Sequence, residues 1–142
     1  MSVKENQELM RWMYEKGSNV KGDVTKMHSI LEKWMAPDGV YHTTAGDLDF
    51  EQYKQAQTAI HSAFPDMSFT VEDMIATGDK VVARWTARGT HKGTYMGIAA
   101  TGKPFKMSGI GIARFAKGKA VEGWGLQDTF GLMQQLGVVP RR

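Results

Sequence analysis

Asp128 is the side chain of this sequence best placed for acid or base chemistry. It follows a strand-like segment and directly precedes TFGLMQQLG, which is predicted to be a short helix. On an apolar pocket face its carboxylate would be partly desolvated, which favours proton transfer to a carbonyl or from an α-carbon. An aspartate in this position is also a natural helix N-cap, a role that favours the charged form. The residues alone leave both roles open.

Histidine side chains could also move protons near neutral pH, and the chain has four of them. His91, together with Tyr95 in THKGTYMG, could border a pocket or belong to an exposed loop. His42 follows a short predicted strand near the helix that would cover the sheet. His28 and His61 lie on predicted helices, and we interpret both as solvated. No set of histidines and carboxylates has the spacing of metal ligands, so we expect no metal.

The segment GIAATGKP, residues 97–104, matches a phosphate-binding loop up to its last position. That motif needs a Ser or Thr after the lysine to ligate Mg²⁺, and its lysine must open a helix that points at the phosphates. Pro104 occupies the hydroxyl position here, and the following FKMSGIGIARF alternates like a strand. We therefore expect a loop between two strands and no bound nucleotide.

Composition excludes several other classes of function. The absence of cysteine excludes disulfides, thiolate metal sites and thiol nucleophiles. The net charge of +3 comes from scattered residues and not from a dense basic stripe, so we expect no nucleic-acid partner. MSVKENQELMRWMYEK lacks the apolar core of a signal peptide, and no stretch approaches the roughly 18 apolar residues of a membrane span. The expectation is a cytoplasmic protein with one domain over residues 1–142 and no membrane partner.

The elements that must position these residues begin with helices, because the first half of the chain has a period of 3.6 residues. ELMRWMYEK is predicted to be a short helix. A second helix is capped by Asp23 and ended by APDG, and its apolar face contains Val24, Met27, Ile30, Leu31, Trp34 and Met35. A third begins at about Asp49, which forms a capping box with Gln52, and ends before Pro65. The inner stripe of this third helix is Phe50, Tyr53, Gln57, Ile60 and Phe64.

The period changes to two residues in the second half, which indicates strands. The tight turns GDK and KGK would join four segments in pairs as antiparallel hairpins. These segments are MSFTVEDMIAT, KVVARWTARGTH, PFKMSGIGIARFA and AVEGWGLQ. Helices followed by an antiparallel sheet indicate an α+β domain with the helices packed on one face of the sheet.

The register of the last hairpin follows if KGK contains a two-residue turn. Alternation would then place three facing pairs on one side of the sheet: Gly111 with Trp124, Gly109 with Leu126, and Met107 with Asp128. Glycines opposite a tryptophan leave open volume, and glycine lets a sheet bend. The alternatives are an aromatic-floored pocket and a core that Trp124 fills, and the pattern favours neither.

The chain from about Phe64 to Pro140 resembles the SnoaL-like polyketide cyclases, or ester cyclases, of the nuclear-transport-factor-like superfamily. The matching segments are FPD before the first long strand, GDKVVARWTARGTH, the loop G…GI…TGK, and W…D…GL…QLGVVP. The resemblance implies a cone-shaped α+β fold in which helices pack over the concave face of a curved antiparallel sheet. It also implies that GIAATGK connects two long strands at the mouth of the cone.

The resemblance implies a chemistry as well. Characterised members close a polyketide ring by intramolecular aldol condensation without a metal or organic cofactor, and an acidic residue at the end of the last strand is the acid/base. The matching residue is Asp128. We therefore expect a cofactor-independent enzyme that acts on a small apolar carbonyl compound and forms a homodimer through the exposed sheet face. The predicted substrate-binding residues are His42, Trp85, His91, Tyr95, Met107, Trp124 and Leu126.

Two other functions remain open. A non-catalytic ligand-binding or dimerising module would be favoured if Trp124 and the methionines fill the cavity. An epoxide hydrolase of the same fold would use an Asp–Arg–Asp cluster, and Asp73 and Arg84 are predicted to be cross-strand neighbours. Such a pair is more often a surface ion pair of little energetic consequence.

Overall fold

In the part of the chain that the structure describes, the first half contains three α-helices and two strands, and the second half consists mainly of strands. The computed structural model describes residues 2–17 and 19–139, so Pro140, the last residue of the resemblance, lies outside the described residues. The helices are α1 (Val3–Trp12), α2 (Val24–Trp34), α3 (Phe50–Ala63) and α4 (Thr129–Gln135), and a π-helical turn (Met13–Gly17) extends α1. The strands are β1 (Met35–Thr43), β2 (Gly46–Leu48), β3 (Ser68–Thr77), β4 (Lys80–Thr90), β5 (Pro104–Ala116) and β6 (Lys119–Gln127).

Polar caps fix where the helices begin. The carboxylate of Asp23 accepts a hydrogen bond at the start of α2, and Asp49 forms a capping box with Gln52 at the start of α3, so both predicted caps are confirmed. α1 begins at Val3, well before the predicted ELMRWMYEK, because Ser2 and Glu5 form a capping box that the apolar pattern does not show.

The six strands form one sheet in the order β2-β1-β6-β5-β4-β3. The two predicted hairpins, β3–β4 and β5–β6, are confirmed as antiparallel pairs. The sheet is nevertheless mixed and not wholly antiparallel, because β1 pairs parallel with β6, as at Tyr41 and Gly123. α2 ends before APDG as predicted, but β1 begins directly at Met35, so the residues APDG lie in a strand. β1 and β6 are far apart along the chain, and no local pattern in the sequence predicts that they pair.

The predicted register of the β5–β6 hairpin is wrong by one residue. The turn itself is tight, with Ala116 opposite Lys119, but the register shifts between Arg114 and Phe115. This bulge places Gly111 opposite Gly125, Gly109 opposite Gln127, Ile112 opposite Trp124 and Ile110 opposite Leu126. A slip of one residue moves every later side chain to the other face of the strand. Trp124 and Leu126 therefore do not share a face with the two glycines.

The inner face of the sheet is covered by the helices, and large aromatic side chains fill the space above its glycines. A methyl group added at Gly109 would collide with the Trp85 ring, and one at Gly111 would collide with the Tyr14 hydroxyl. On β6, a methyl group at Gly123 would lie 2.7 Å from the Tyr41 ring. The volume beside the glycines is thus occupied, but by side chains other than Trp124.

Candidate active site

A cavity of about 80 Å³ lies between the inner face of the sheet and the helices α1 to α3. Its walls are mainly aromatic rings and methionines. Six of the ten methionines border it, namely Met10, Met13, Met27, Met35, Met67 and Met107. The volume exceeds what a single water needs, but it is below the roughly 300 Å³ of a pocket for a drug-sized ligand. Methionine side chains rearrange readily, so these walls can adapt to a larger occupant.

The cavity contains neutral polar groups from several elements. Tyr14 comes from the π-helical turn, Tyr41 from β1, and Tyr53 and Gln57 from α3. Burial raises the pKa of Tyr41 to about 12, and it also raises the pKa values of Tyr14 and Tyr53 well above the usual value for tyrosine. These hydroxyls therefore stay protonated at neutral pH and can donate hydrogen bonds to a carbonyl oxygen.

His61 also lines the cavity, so the interpretation of this histidine as solvated is wrong. It is 1% exposed, and within the described residues its Nδ1 has no hydrogen-bond partner. Burial lowers the pKa of His61 to about 4, which keeps the imidazole neutral near pH 7. The sequence contained a clue, since Tyr53, Gln57 and His61 are spaced by four residues and so share one face of α3.

Asp128 is the N-cap of α4. Its Oδ1 accepts a hydrogen bond of 2.9 Å from the Gly131 N–H, which confirms the capping role, and its side chain is exposed. The adjacent Gln127 and the buried Leu132 of α4 line the cavity, but the described lining does not include Asp128. The acid/base role of this aspartate stays a prediction.

Three of the predicted substrate-binding residues meet at the cavity. Trp85, Tyr95 and Met107 all line it, and Tyr95 packs edge-on against Phe64, with ring centroids 5.1 Å apart. Trp124 borders the cavity along β6, but its ring stacks on the His42 imidazole at a centroid distance of 5.3 Å.

His91 lies behind this wall and is fully buried, not exposed. Its ring is 5.5 Å from that of Phe64, and its Nδ1 accepts a 3.2 Å hydrogen bond from the Thr101 N–H. A nitrogen that accepts from an N–H carries no proton, so the ring proton is on Nε2, which has no partner among the described residues. His91 therefore anchors the loop between β4 and β5.

That loop contains GIAATGKP, and its glycines shape turns as predicted. Gly97 and Gly102 have φ angles of 77° and 71°, a region that favours glycine. Pro104 begins β5, so no helix follows Lys103. The loop is fastened to the end of α3 because the N–H groups of Lys92 and Gly93 both donate to the Ala63 carbonyl.

The remaining predicted residues lie on the outer face of the sheet. His42 donates from Nδ1 to Asp47 and from Nε2 to Glu122, each at 2.7 Å, and Arg114 Nε donates to Glu122 at 3.2 Å. Leu126 lies beyond this network and is largely exposed. Asp73 faces Arg84 as predicted, but both side chains are exposed on the outer face. This position separates them from the cavity and gives no support to an epoxide-hydrolase cluster.

Two further structural findings concern metals and membranes. Within residues 2–17 and 19–139, no group of three or more histidine, aspartate or glutamate side chains could hold a metal ion. Across the same residues, no helix combines the length and apolar character needed to cross a bilayer.

Comparison with known proteins gives one matching family and several solved structures that are similar to this chain. The model of a family described as SnoaL-like polyketide cyclase matches residues 11–136. IdmH of Streptomyces antibioticus, described as a candidate polyketide cyclase, is 34% identical, with 94% of this chain and 99% of IdmH covered and a TM-score of 0.79. AclR of Streptomyces galilaeus, described as a candidate hydroxylase, is 27% identical, with 99% and 86% covered and a TM-score of 0.87.

A third similar structure is TsrD of Streptomyces laurentii. It is 28% identical, with 98% of this chain and 99% of TsrD covered and a TM-score of 0.79. A search of curated proteins gave no significant match.

Proposed function

Because this chain belongs to the SnoaL-like polyketide cyclase family, we propose that it is a cyclase or isomerase that acts on a small apolar carbonyl compound inside the cavity. The specific reaction that we propose is polyketide ring closure by an intramolecular aldol step. The chemistry is proton transfer and carbon–carbon bond formation, for which the side chains of this chain suffice without a cofactor.

The largely uncharged cavity between sheet and helices is the observation that supports this proposal. Its apolar walls favour burial of a hydrophobic substrate and exclude water from reactive enol intermediates. The tyrosine hydroxyls of Tyr14, Tyr41 and Tyr53 are protonated donors in a water-poor site, where hydrogen bonds to a developing oxyanion are strongest. An aldol step places negative charge on a carbonyl oxygen twice, once in the enolate and once in the alkoxide.

Asp128 is the acid/base that the family resemblance implies, and its position sets a condition on that role. Asp128 directly follows Gln127, which lines the cavity, but its exposed carboxylate accepts the Gly131 N–H of its own helix. It can turn toward a substrate only if this capping bond breaks. We propose that any participation of Asp128 occurs from the edge of the cavity.

Ligand binding tests the proposed cavity. The probe is 2-tetralone, an apolar bicyclic ketone, and the readout is quenching of tryptophan fluorescence, since Trp34 and Trp85 line the cavity. Ala113→Met fills the cavity from β5, whereas Ser108→Met adds the same side chain at an exposed position of the same strand. We expect Ala113→Met to abolish binding and Ser108→Met to retain it. Equal binding by the two folded variants would locate the site elsewhere.

A second candidate is a non-catalytic binding module on the same scaffold. The observation that favours it is that the described lining offers no free carboxylate. Glu122 is the only carboxylate among the described lining residues, and it already bonds to His42 and Arg114. This candidate predicts that the protein binds ketones but does not accelerate their enolisation or cyclisation.

We also propose that a second copy of this chain covers the outer face of the sheet. Ile110 and Leu126 are cross-strand neighbours there and are 48% and 64% exposed. Ile75, which is 63% exposed, extends the apolar surface to β3. Charges of both signs border it, including Asp73 and Arg84. A two-fold axis brings a surface against itself, so a patch that carries both signs can pair with its own copy.

A further inference from the structure

His61 occupies the one polar stripe that α3 directs at the cavity. Tyr53, Gln57 and His61 recur every four residues, and all three line the cavity together with the apolar Ile60 and Phe64. Helical residues four apart lie above one another on one face, so these three side chains form a row along the wall. The row ends at His61, next to the point where the β4–β5 loop is fastened to Ala63.

The imidazole of His61 has a buried nitrogen without a hydrogen-bond partner among the described residues. It is 1% exposed, its Nδ1 is shielded from solvent, and no described residue donates to it or accepts from it. By contrast, the other helical histidine, His28, bonds to the Thr58 hydroxyl at 2.8 Å. A buried polar atom without a partner costs stability, and such atoms occur where a site is prepared for a ligand or a reaction.

His61 is also the single group of the described cavity lining that offers an uncharged basic nitrogen at neutral pH. The other titratable groups of the lining are the tyrosines Tyr14, Tyr41, Tyr53 and Tyr95 and also Glu122, which borders the cavity from β6 while its carboxylate is held in the network on the outer face. Burial raises the pKa values of all four tyrosines, and hydrogen bonds from His42 and Arg114 lower the pKa of Glu122. The tyrosines therefore remain donors and Glu122 remains an ion in its own network, which leaves the imidazole as the acceptor.

We propose that His61 is the catalytic base that removes an α-proton from the carbonyl substrate in the cavity, an inference that rests on the function proposed above. The electron pair of the α C–H bond becomes the carbon–carbon double bond of an enolate, and the carbonyl π pair moves to oxygen. The enolate carbon then attacks a second carbonyl of the same molecule, and the new alkoxide takes the proton back from His61. The imidazole ends neutral, and no atom is gained or lost.

The neutral resting state of His61 suits this role. A neutral imidazole presents one acceptor nitrogen and one N–H donor. Burial opposes its protonation in the free protein, but the charge arises only as an enolate forms beside it, and attraction between the two charges offsets the cost of burial.

Hydrogen–deuterium exchange at the α-carbon of 2-tetralone tests the proposal. The ketone is incubated with protein in D₂O, exchange is followed by proton NMR, and binding is measured separately by tryptophan quenching. The variants are His61→Gln, the matched control His28→Gln, and Asp128→Asn. We expect His61→Gln to bind the ketone normally and to lose exchange by a factor on the order of 100, while His28→Gln retains it.

The outcomes separate the inference from the function on which it rests. If the ketone binds and His61→Gln exchanges at the wild-type rate, His61 is not the base, although the carbonyl pocket stands. If Asp128→Asn alone abolishes exchange, the base is Asp128 and the inference is overturned. If the ketone does not bind to the wild-type protein, the carbonyl pocket and the inference fail together.

A measurement on the ligand-free wild-type protein tests the proposal without a variant, so that misfolding of a variant does not affect it. An NMR titration of the wild-type imidazole carbons is expected to show His61 neutral from pH 8 down to about pH 5, since burial lowers its pKa to about 4. A midpoint near 6.5 for His61 would show a solvated ring and would overturn the inference without any substitution.

Discussion

At the scale of single residues, the buried imidazole of His61 links the candidate site to stability. The pKa falls from 6.5 in the unfolded chain to about 4 in the fold because of burial. A lowered histidine pKa contributes stability that is present above pH 6.5 and is lost as the pH falls from 6.5 toward 4. The whole change corresponds to about 3 kcal/mol. Urea unfolding between pH 7 and 4 should show this loss, and His61→Gln should reduce it.

His28→Gln is the control for that experiment, because His28 lies on α2 and already bonds to Thr58. Its acid-dependent loss of stability should match that of the wild-type protein. An unchanged pH dependence in His61→Gln would mean that His61 binds its proton in the fold as easily as in the unfolded chain.

A second prediction at this scale concerns Gly109. A side chain here would enter the space of the Trp85 ring, which is buried against β5. Gly109→Ala is therefore expected to lower the free energy of unfolding by about 1–3 kcal/mol through overpacking. The control is Ser108→Ala, the adjacent residue on the exposed face of the same strand. A Gly109→Ala variant as stable as Ser108→Ala would mean that Trp85 moves aside without cost.

The individual residues show which parts of the site the sequence predicts. Side chains that follow a local period, such as Tyr53 and Gln57 on α3, were assigned correctly to the inner stripe. His61 belongs to the same row, and its four-residue spacing from Gln57 predicts its burial better than the polarity of the imidazole does. Trp124 and Leu126 were placed on the wrong face because a one-residue bulge has no signature in the alternation itself.

At the scale of elements, a chain of charged groups ties four strands together on the outer face. Asp47 on β2, His42 on β1, Glu122 on β6 and Arg114 on β5 are joined in that order by hydrogen bonds. Hydrogen bonds to Asp47 and Glu122 raise the pKa of His42, and those from His42 and Arg114 lower the pKa of Glu122. The network therefore fastens the parallel β1–β6 pair, which no hairpin turn holds.

This network gives a pH window of stability. The raised His42 pKa contributes stability that is complete below its unfolded value of 6.5 and is lost as the pH rises through the folded value. The lowered Glu122 pKa contributes stability that is complete above 4.5 and is lost as the pH falls through the folded value. The difference in unfolding free energy between wild type and His42→Asn should be largest between pH 4.5 and 6.5 and should shrink above that window.

Subtracting the unfolding free energy of His42→Asn from that of the wild type removes the contribution of His61, which is common to both proteins. Lys54→Gln is a suitable control, since its ion pairs with Glu32 and Glu51 lie away from the sheet. A wild-type minus His42→Asn difference that grows above pH 7 would contradict the assignment of a raised pKa to His42.

The two hairpins can be predicted from the sequence, whereas the pairing of β1 with β6 cannot. GDK and KGK are local turn signals, and both hairpins that they predict are present. The β1–β6 pair instead depends on Tyr41 lying over Gly123 and on the His42–Glu122 bond, which join distant parts of the chain. Neither contact has a spacing that can be read from one sequence.

At the scale of the whole molecule, the two faces of the sheet have different roles. The inner face contributes the cavity, whose wall is stiff where Trp85 and Tyr14 lie over the β5 glycines and adaptable where the methionines line it. The outer face has an apolar surface at Ile110 and Leu126 next to a fixed charge network. Because the sheet separates the two faces, we expect an occupant of the cavity to leave the outer face unchanged.

Self-association through the outer face is the prediction that tests this division. Leu126→Lys places a positive charge on the exposed apolar surface, where two copies would bring like charges together, so the dimer should dissociate. Sedimentation velocity should show a dimer for the wild-type protein and a monomer for the variant. Val3→Lys is the control, because Val3 is an exposed apolar residue of α1, on the opposite side of the sheet.

The dimer prediction also has a consequence for the cavity. Since Leu126 is on the face opposite to Gln127, the Leu126→Lys monomer should bind 2-tetralone as well as the wild-type protein does. Loss of binding together with loss of the dimer would mean that association completes the site. A monomeric wild-type protein, or a Val3→Lys variant that dissociates as readily, would show that the outer face is not the contact.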